Sequence, residues 1–172
     1  MLTLQNGLGN EEALARFVPA EQILGGLAFV CLNRVAPGVI RHLDHGHIVI
    51  GEFQRPPGAR TRALAENFQQ AGVPCDVAKD LIRAHWEKLV WNIPFNGLGV
   101  ASTAGYEAVC AGQRDPARPP TRCLTTDHLL GDPRWAGLVR ELMLEIIAVA
   151  RALGLDLRSE EHTSELQSRL HL

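Results

Sequence analysis

Two periodicities divide this chain, a short alternation of apolar and polar positions near its start and a 3.6-residue repeat later. Residues 1–4 are an apolar run that stops at Gln5-Asn6-Gly7-Leu8-Gly9, the pattern of a buried strand closed by a turn that glycine permits. Asn10 is placed to cap a helix, and Glu11 and Glu12 suit its positive end. Ala13, Leu14 and Phe17 offer that helix an apolar stripe until Pro19 stops it. Residues 23–32 and 38–43 read as strands, broken from one another by Ala36-Pro37-Gly38. Asp44-His45-Gly46 then reads as the turn that pairs residues 38–43 with residues 47–53 as a hairpin.

Beyond Gln54-Arg55-Pro56-Pro57-Gly58 the helical period takes over. Residues 60–71 have an amphipathic pattern ended by Gly72, and residues 73–77 form a short extended link. Asp80 can cap a long helix that runs through Trp86, Leu89, Val90 and Ile93 to about residue 100. Pro94 interrupts it: the missing N–H and the crowding of the Val90 carbonyl predict a kink. Residues 112–126, with Pro116, Pro119 and Pro120, read as a loop; Asp132-Pro133 opens a last helix over residues 134–153, closed by Gly154. The character changes near residue 79, from strands with helices to helices alone, which predicts two lobes with a cleft between them.

The tail changes what can be read. Arg158 to Ser168 spells RSEEHTSELQS, which resembles a translated sequencing adaptor, so residues 158–172 are expected to be non-native and are left out of the site. A formal charge of −2 over 172 residues recommends neither nucleic acid nor an anionic membrane as a partner. The four cysteines, Cys31, Cys75, Cys110 and Cys123, form no C-x-x-C and have no matching histidine pair, so free thiols in a reducing cytoplasm are expected. No cationic start leads into an apolar secretory segment and no long uncharged apolar run appears, so the expectation is a soluble cytosolic protein.

Three groups of residues carry possible chemistry. Lys88, Asn92 and Asn96 stand four apart; each such step advances about 40° around a helix, so an ammonium and two carboxamides share one face. Flanked by Trp86, Leu89, Val90, Ile93 and Phe95, that face is either an ordinary solvated stripe or a proton donor for a carbonyl oxygen with two amides to hold hydroxyl and carboxylate groups. The turn around Asn6 lies at the carboxyl end of a strand, where open α/β sheets bind ligands, yet neither Gly7-Leu8-Gly9 nor Gly97-Leu98-Gly99 completes a dinucleotide fingerprint. His42, Asp44, His45 and His47 could suggest a metal, but polar turn chemistry explains them as well, and no metal site is assigned.

Taken in order, the segments Leu4-Gln5-Asn6-Gly7-Leu8-Gly9-Asn10-Glu11-Glu12, Gly38 to His42 with His47 to Gly51, and Trp86-Glu87-Lys88-Leu89-Val90-Trp91-Asn92-Ile93-Pro94-Phe95-Asn96 resemble the ketopantoate reductase family. The resemblance covers nearly all of residues 2–157. It implies α/β plus all-α architecture. Residues 1–78 would be the carboxyl-terminal half of a Rossmann-type NAD(P)-binding domain. Residues 79–157 would be a truncated helical substrate domain resembling the 6-phosphogluconate dehydrogenase carboxyl-terminal domain. It implies NADPH as cofactor and a small 2-oxoacid, 2-dehydropantoate, as substrate, with a second copy of the chain as a conceivable partner. Carried over by position, Lys88 would be the catalytic proton donor, Asn92 and Asn96 would bind substrate, and Asn6 would lie at the nicotinamide end of the cofactor. The family's glycine-rich phosphate loop has no counterpart here, so weak cofactor binding and little activity are expected of this chain alone. Two other readings remain open: reduction of another small oxoacid, and a catalytically dead helical interaction module.

Overall fold

The computed structural model describes residues 1–113, 116–117 and 119–157, and the adaptor-like tail lies outside them. The chain divides into two compact units, Met1–His85 and a second that begins at Trp86.

The first unit is built on a four-stranded sheet in the order β1 (Leu2–Thr3), β2 (Leu24–Ala36), β3 (Val39–Glu52) and β4 (Cys75–Val77). β1 runs parallel to β2, β3 antiparallel to β2, and β4 parallel to β3. Helix α2 (Ala59–Gln70) covers one face: Ile50, Ala65 and Cys75 form a small buried cluster, with Leu2, Leu4, Ile48, Leu64, Phe68 and Val77 packed around it. On the other face Gly25 and Gly51 are paired in register, and a Cβ on either would come within 3.1 Å of the Leu81 side chain. Bare backbone at both positions is what allows the start of α3 (Leu81–Asn92) to pack close to the sheet.

Two expectations fail here. The hairpin turn is Pro37-Gly38, with Ala36 paired to Val39 and Gly38 at φ 73°; proline followed by a positive-φ glycine is the residue pattern of a type II turn. Asp44-His45-Gly46 is instead a bulged stretch inside one continuous strand, where His45 takes φ 63° and the register shifts twice. A bulge and a turn use the same residues because both need positive φ, so a local reading cannot separate them. Helix α1 is also shorter than expected, Asn10–Leu14. Its N-cap is Gly9 in the left-handed region, while the Asn10 side chain reaches back to the carbonyl of Asn6 at 3.3 Å. Phe17, assigned to an apolar stripe, is 84 % exposed.

The second unit is helical: the last turns of α3, a π-helical turn Ile93–Gly97, α4 (Leu98–Ala101), α5 (Tyr106–Ala111), α6 (Thr126–Gly131) and α7 (Pro133–Ala152). α7 follows its sequence signals closely. Asp132 accepts a hydrogen bond from the Arg134 N–H at 2.9 Å and Pro133 occupies the first turn. Its buried face, Trp135, Val139, Met143, Ile146, Ile147 and Ala150, meets Val90, Leu98, Leu129 and Leu157 in one core. Helices α5 and α6 were not anticipated; each is six residues long, too short for a period to declare itself. The division between units falls within α3, later than the change of character near residue 79. The reason is packing: His85 is buried with residues of the first unit, whereas Trp86 and Leu89 pack on the core of the second.

Candidate active site

Helix α3 opens as its sequence predicts. The Asp80 carboxylate accepts the Arg83 N–H at 3.0 Å, capping the first turn. Lys88 lies two turns on, only 8 % exposed, and loss of water pushes its ammonium below the ordinary lysine pKa. Asn92 is half-buried at the end of the helix and Asn96 is exposed in the turn that follows.

Pro94 has no N–H to give the Val90 carbonyl, and the backbone answers with the π-helical turn Ile93–Gly97 rather than a simple break. This matters for the stripe. In an α-helix a four-residue step overshoots a full turn, but in the wider π turn it falls short, so Asn96 swings back toward the azimuth of Lys88. Trp91 and Phe95 stack on each other with ring centroids 5.6 Å apart and pack on the core of the second unit, which ties the turn down. The ammonium and both carboxamides thus belong to one helix and its continuation, in a setting far drier than a solvated stripe at Lys88.

Asn6 belongs to the first unit. It is exposed in the turn after β1, flanked by Gly7 at φ 97° and Gly9 at φ 85°. A Cβ built on either glycine meets no atom within 4 Å, so the backbone of this turn can be approached closely by a ligand.

The histidines near the hairpin do not converge. His47 hydrogen-bonds Asp76 at 2.9 Å and stacks on Phe29, while His42 meets the Asp44 carbonyl at 2.9 Å. Among the described residues no three potential ligands gather as a metal site would need. All four cysteines are unbridged, and only Cys75 is buried.

Two polar groupings escaped the sequence reading. Glu52, 3 % exposed, accepts hydrogen bonds from Arg60 Nε at 2.9 Å, Arg55 Nε at 3.0 Å and the Thr61 hydroxyl. The Arg60 hydrogen bond leads in bringing its carboxyl down to about 2, against the cost of burial. This knot fastens the end of β3 to the start of α2, beside a cavity of about 270 Å³ lined by Phe53, Lys79 and Leu81 among others. Glu11, read as a partner for a helix end, is instead 4 % exposed and hydrogen-bonded to His85 at 3.2 Å. Burial opposes its ionised form most strongly, but the His85 hydrogen bond, a backbone hydrogen bond and the attraction of His85 together outweigh it and leave the carboxyl below its ordinary value. The available signal was Gly25-Gly26 inside a strand, which marks a place where something approaches the backbone closely.

Comparison with known proteins gives these positions a context. Residues 1–55 match the family described as ketopantoate reductase PanE/ApbA. A 2-dehydropantoate 2-reductase of Nostoc sp. is 38 % identical over 90 % of this chain and 44 % of its own length. The crystal structure of 2-dehydropantoate 2-reductase from Geobacter metallireducens GS-15 is 42 % identical, with TM-score 0.76 over 98 % of this chain and 50 % of that one. D-mandelate dehydrogenase with NADH and anilino(oxo)acetate shares the fold at TM-score 0.77 and 19 % identity, over 98 % of this chain and 48 % of that one. The chain therefore spans about half the length of the relatives it matches. Its likeness to the ketopantoate reductases, oxidoreductases with a Rossmann-type fold, holds.

Proposed function

We propose, with that kinship as premise, that this chain is the catalytic middle of an NADPH-dependent 2-oxoacid reductase, with 2-dehydropantoate as its substrate. Residues 1–78 are then the carboxyl-terminal half of a Rossmann-type nucleotide-binding domain, and residues 79–157 the start of a helical substrate domain of the 6-phosphogluconate dehydrogenase type. One observation carries the reading: a lysine held in a dry setting, followed on the same helix and its π turn by two carboxamides.

Reduction of a 2-oxo group to a hydroxyl needs a proton on the carbonyl oxygen as the carbon is reduced. Bound NADPH supplies the reducing hydride. Lys88 donates the proton from its Nζ, and its lowered pKa brings the ammonium nearer to neutrality, where a general acid is most effective. Asn92 and Asn96, each able to donate and accept, hold the hydroxyl and carboxylate of the substrate and fix its orientation. Asn6, at the open turn after β1, meets the nicotinamide end of the cofactor. Burial of Lys88 limits water around its ammonium, which strengthens that contact.

The test is a polypeptide joining this chain to the further regions its relatives possess. It should oxidise NADPH when ketopantoate is added, and Lys88→Ala should lower turnover roughly 10²–10⁴-fold. Normal turnover by that variant would refute the role of the lysine. Because any 2-oxoacid offers the same carbonyl and carboxylate, a panel of small oxoacids would show whether ketopantoate is preferred.

A further inference from the structure

The proposed chemistry leaves a buried imidazole–carboxylate hydrogen bond without a task. Nε2 of His85 donates to Oε1 of Glu11 at 3.2 Å, and the two residues, 74 apart in sequence, are 5 % and 4 % exposed. The fold makes room for them. A Cβ on Gly25 would lie 2.1 Å from the same Glu11 oxygen and 2.6 Å from Leu81, so the glycine in β2 is the floor of a carboxylate-sized recess.

The connections run in one direction. The Asn6 turn is tied to α1 through the Asn10 amide on the Asn6 carbonyl, and the Ala13 N–H on the Gly9 carbonyl completes that short helix. Glu11 sits in its first turn. His85 stands in the second turn of α3, and Lys88 follows three residues later, so the two share a helix face. A hydrogen-bonded pair sealed from water allows one geometry, whereas an exposed pair would exchange with solvent.

We infer that Glu11 and His85 form a positioning pair, which pins the first turns of α3 to the short helix after the Asn6 turn and so steadies the start of the helix that carries Lys88. This rests on the reading of Lys88 as proton donor. Neither residue touches the reacting atoms; both act through the helix that carries the lysine.

The chain itself supplies the decisive readout. In His85→Leu, the Lys88 side chain, followed by ¹³C NMR at Cε, is expected to titrate higher than in the parent, toward the free-lysine value near ~10.4, because the helix no longer holds it away from water. His85→Gln, whose amide can still donate to the carboxylate, is expected to recover most of the parent titration. If His85→Leu does not fold, Glu11→Gln carries the same prediction with a smaller shift. In the completed reductase, His85→Leu should lower kcat on the order of 10- to 100-fold while KM for ketopantoate changes far less. A folded variant that loses thermal stability but leaves Lys88 titrating as in the parent overturns the positioning role. Normal turnover by Lys88→Ala instead removes the premise, and the NMR result distinguishes the two failures.

Discussion

The two units bury ionisable groups in different ways. In the first, each buried carboxylate is met by named partners: Glu52 by Arg55, Arg60 and Thr61, Glu11 by His85. The second has an apolar core of aliphatic and aromatic side chains, and among its described residues Lys88 is the buried charged group. Burial lowers the lysine pKa, whereas the carboxylates are held ionised by their partners. The difference teaches how burial acts on an ionisable group: the first unit holds its carboxylates ionised while fastening elements together, whereas in the second burial presses the lysine toward its neutral form.

The sharpest way to break this contrast is through the apolar core. Met143→Ala, at a fully buried position, should cost about 2–5 kcal/mol. All three tryptophans, Trp86, Trp91 and Trp135, fall in the second unit, so urea unfolding followed by tryptophan fluorescence will report it. An unchanged midpoint would mean that this core does not hold the unit together.

Next in size is the Glu52 knot. A carboxyl lowered from 4.5 to about 2 contributes roughly 2–3 kcal/mol at neutral pH, discounted because both arginines are partly exposed. A depressed carboxylate pKa means stability present above about pH 5 and lost as pH falls toward 2. Glu52→Gln should abolish that part of the acid sensitivity of β3 and α2, as read from their amide NMR signals between pH 6 and pH 3. Equal acid profiles for parent and variant would show that the knot contributes nothing.

Smaller still is the cap of α7. Asp132→Ala removes the acceptor for the Arg134 N–H and should cost about 1 kcal/mol, visible as a lower thermal midpoint by circular dichroism. The least effect, of opposite sign, is expected at the lysine. Burial lowers its pKa, so the cost of its ammonium is relieved only as pH rises through the folded-state pKa toward the free value, and Lys88→Met should remove the alkaline part of the pH dependence of stability, read from urea midpoints between neutral and alkaline pH. Equal alkaline profiles for parent and variant would show that burial costs the ammonium nothing.

Much of the architecture was readable because its signals are local. The α7 helix announces itself through Asp132, Pro133, Gly154 and an uninterrupted apolar period, and the Asp80 cap of α3 is equally plain. Pro94 marked the place of an irregularity but not its kind, since whether a helix kinks or widens depends on what Trp91 and Phe95 pack against. The hairpin was misread at Asp44-His45-Gly46, because bulges and turns draw on the same positive-φ residues. Lys88, Asn92 and Asn96 could be placed on one face by counting, whereas no counting brings Glu11 to His85.

By itself, then, the sequence determined the passage from a strand-bearing first part to a helical second, the caps of α3 and α7 and the spacing of an ammonium with two amides, all consequences of backbone period and neighbouring side chains. The tertiary structure decided which of those side chains lose their water. The dryness around Lys88, the pairing of Glu11 with His85 over a bare glycine, and the arginine clasp on Glu52 each depend on packing between distant segments, and desolvation is a property of that packing rather than of any residue alone.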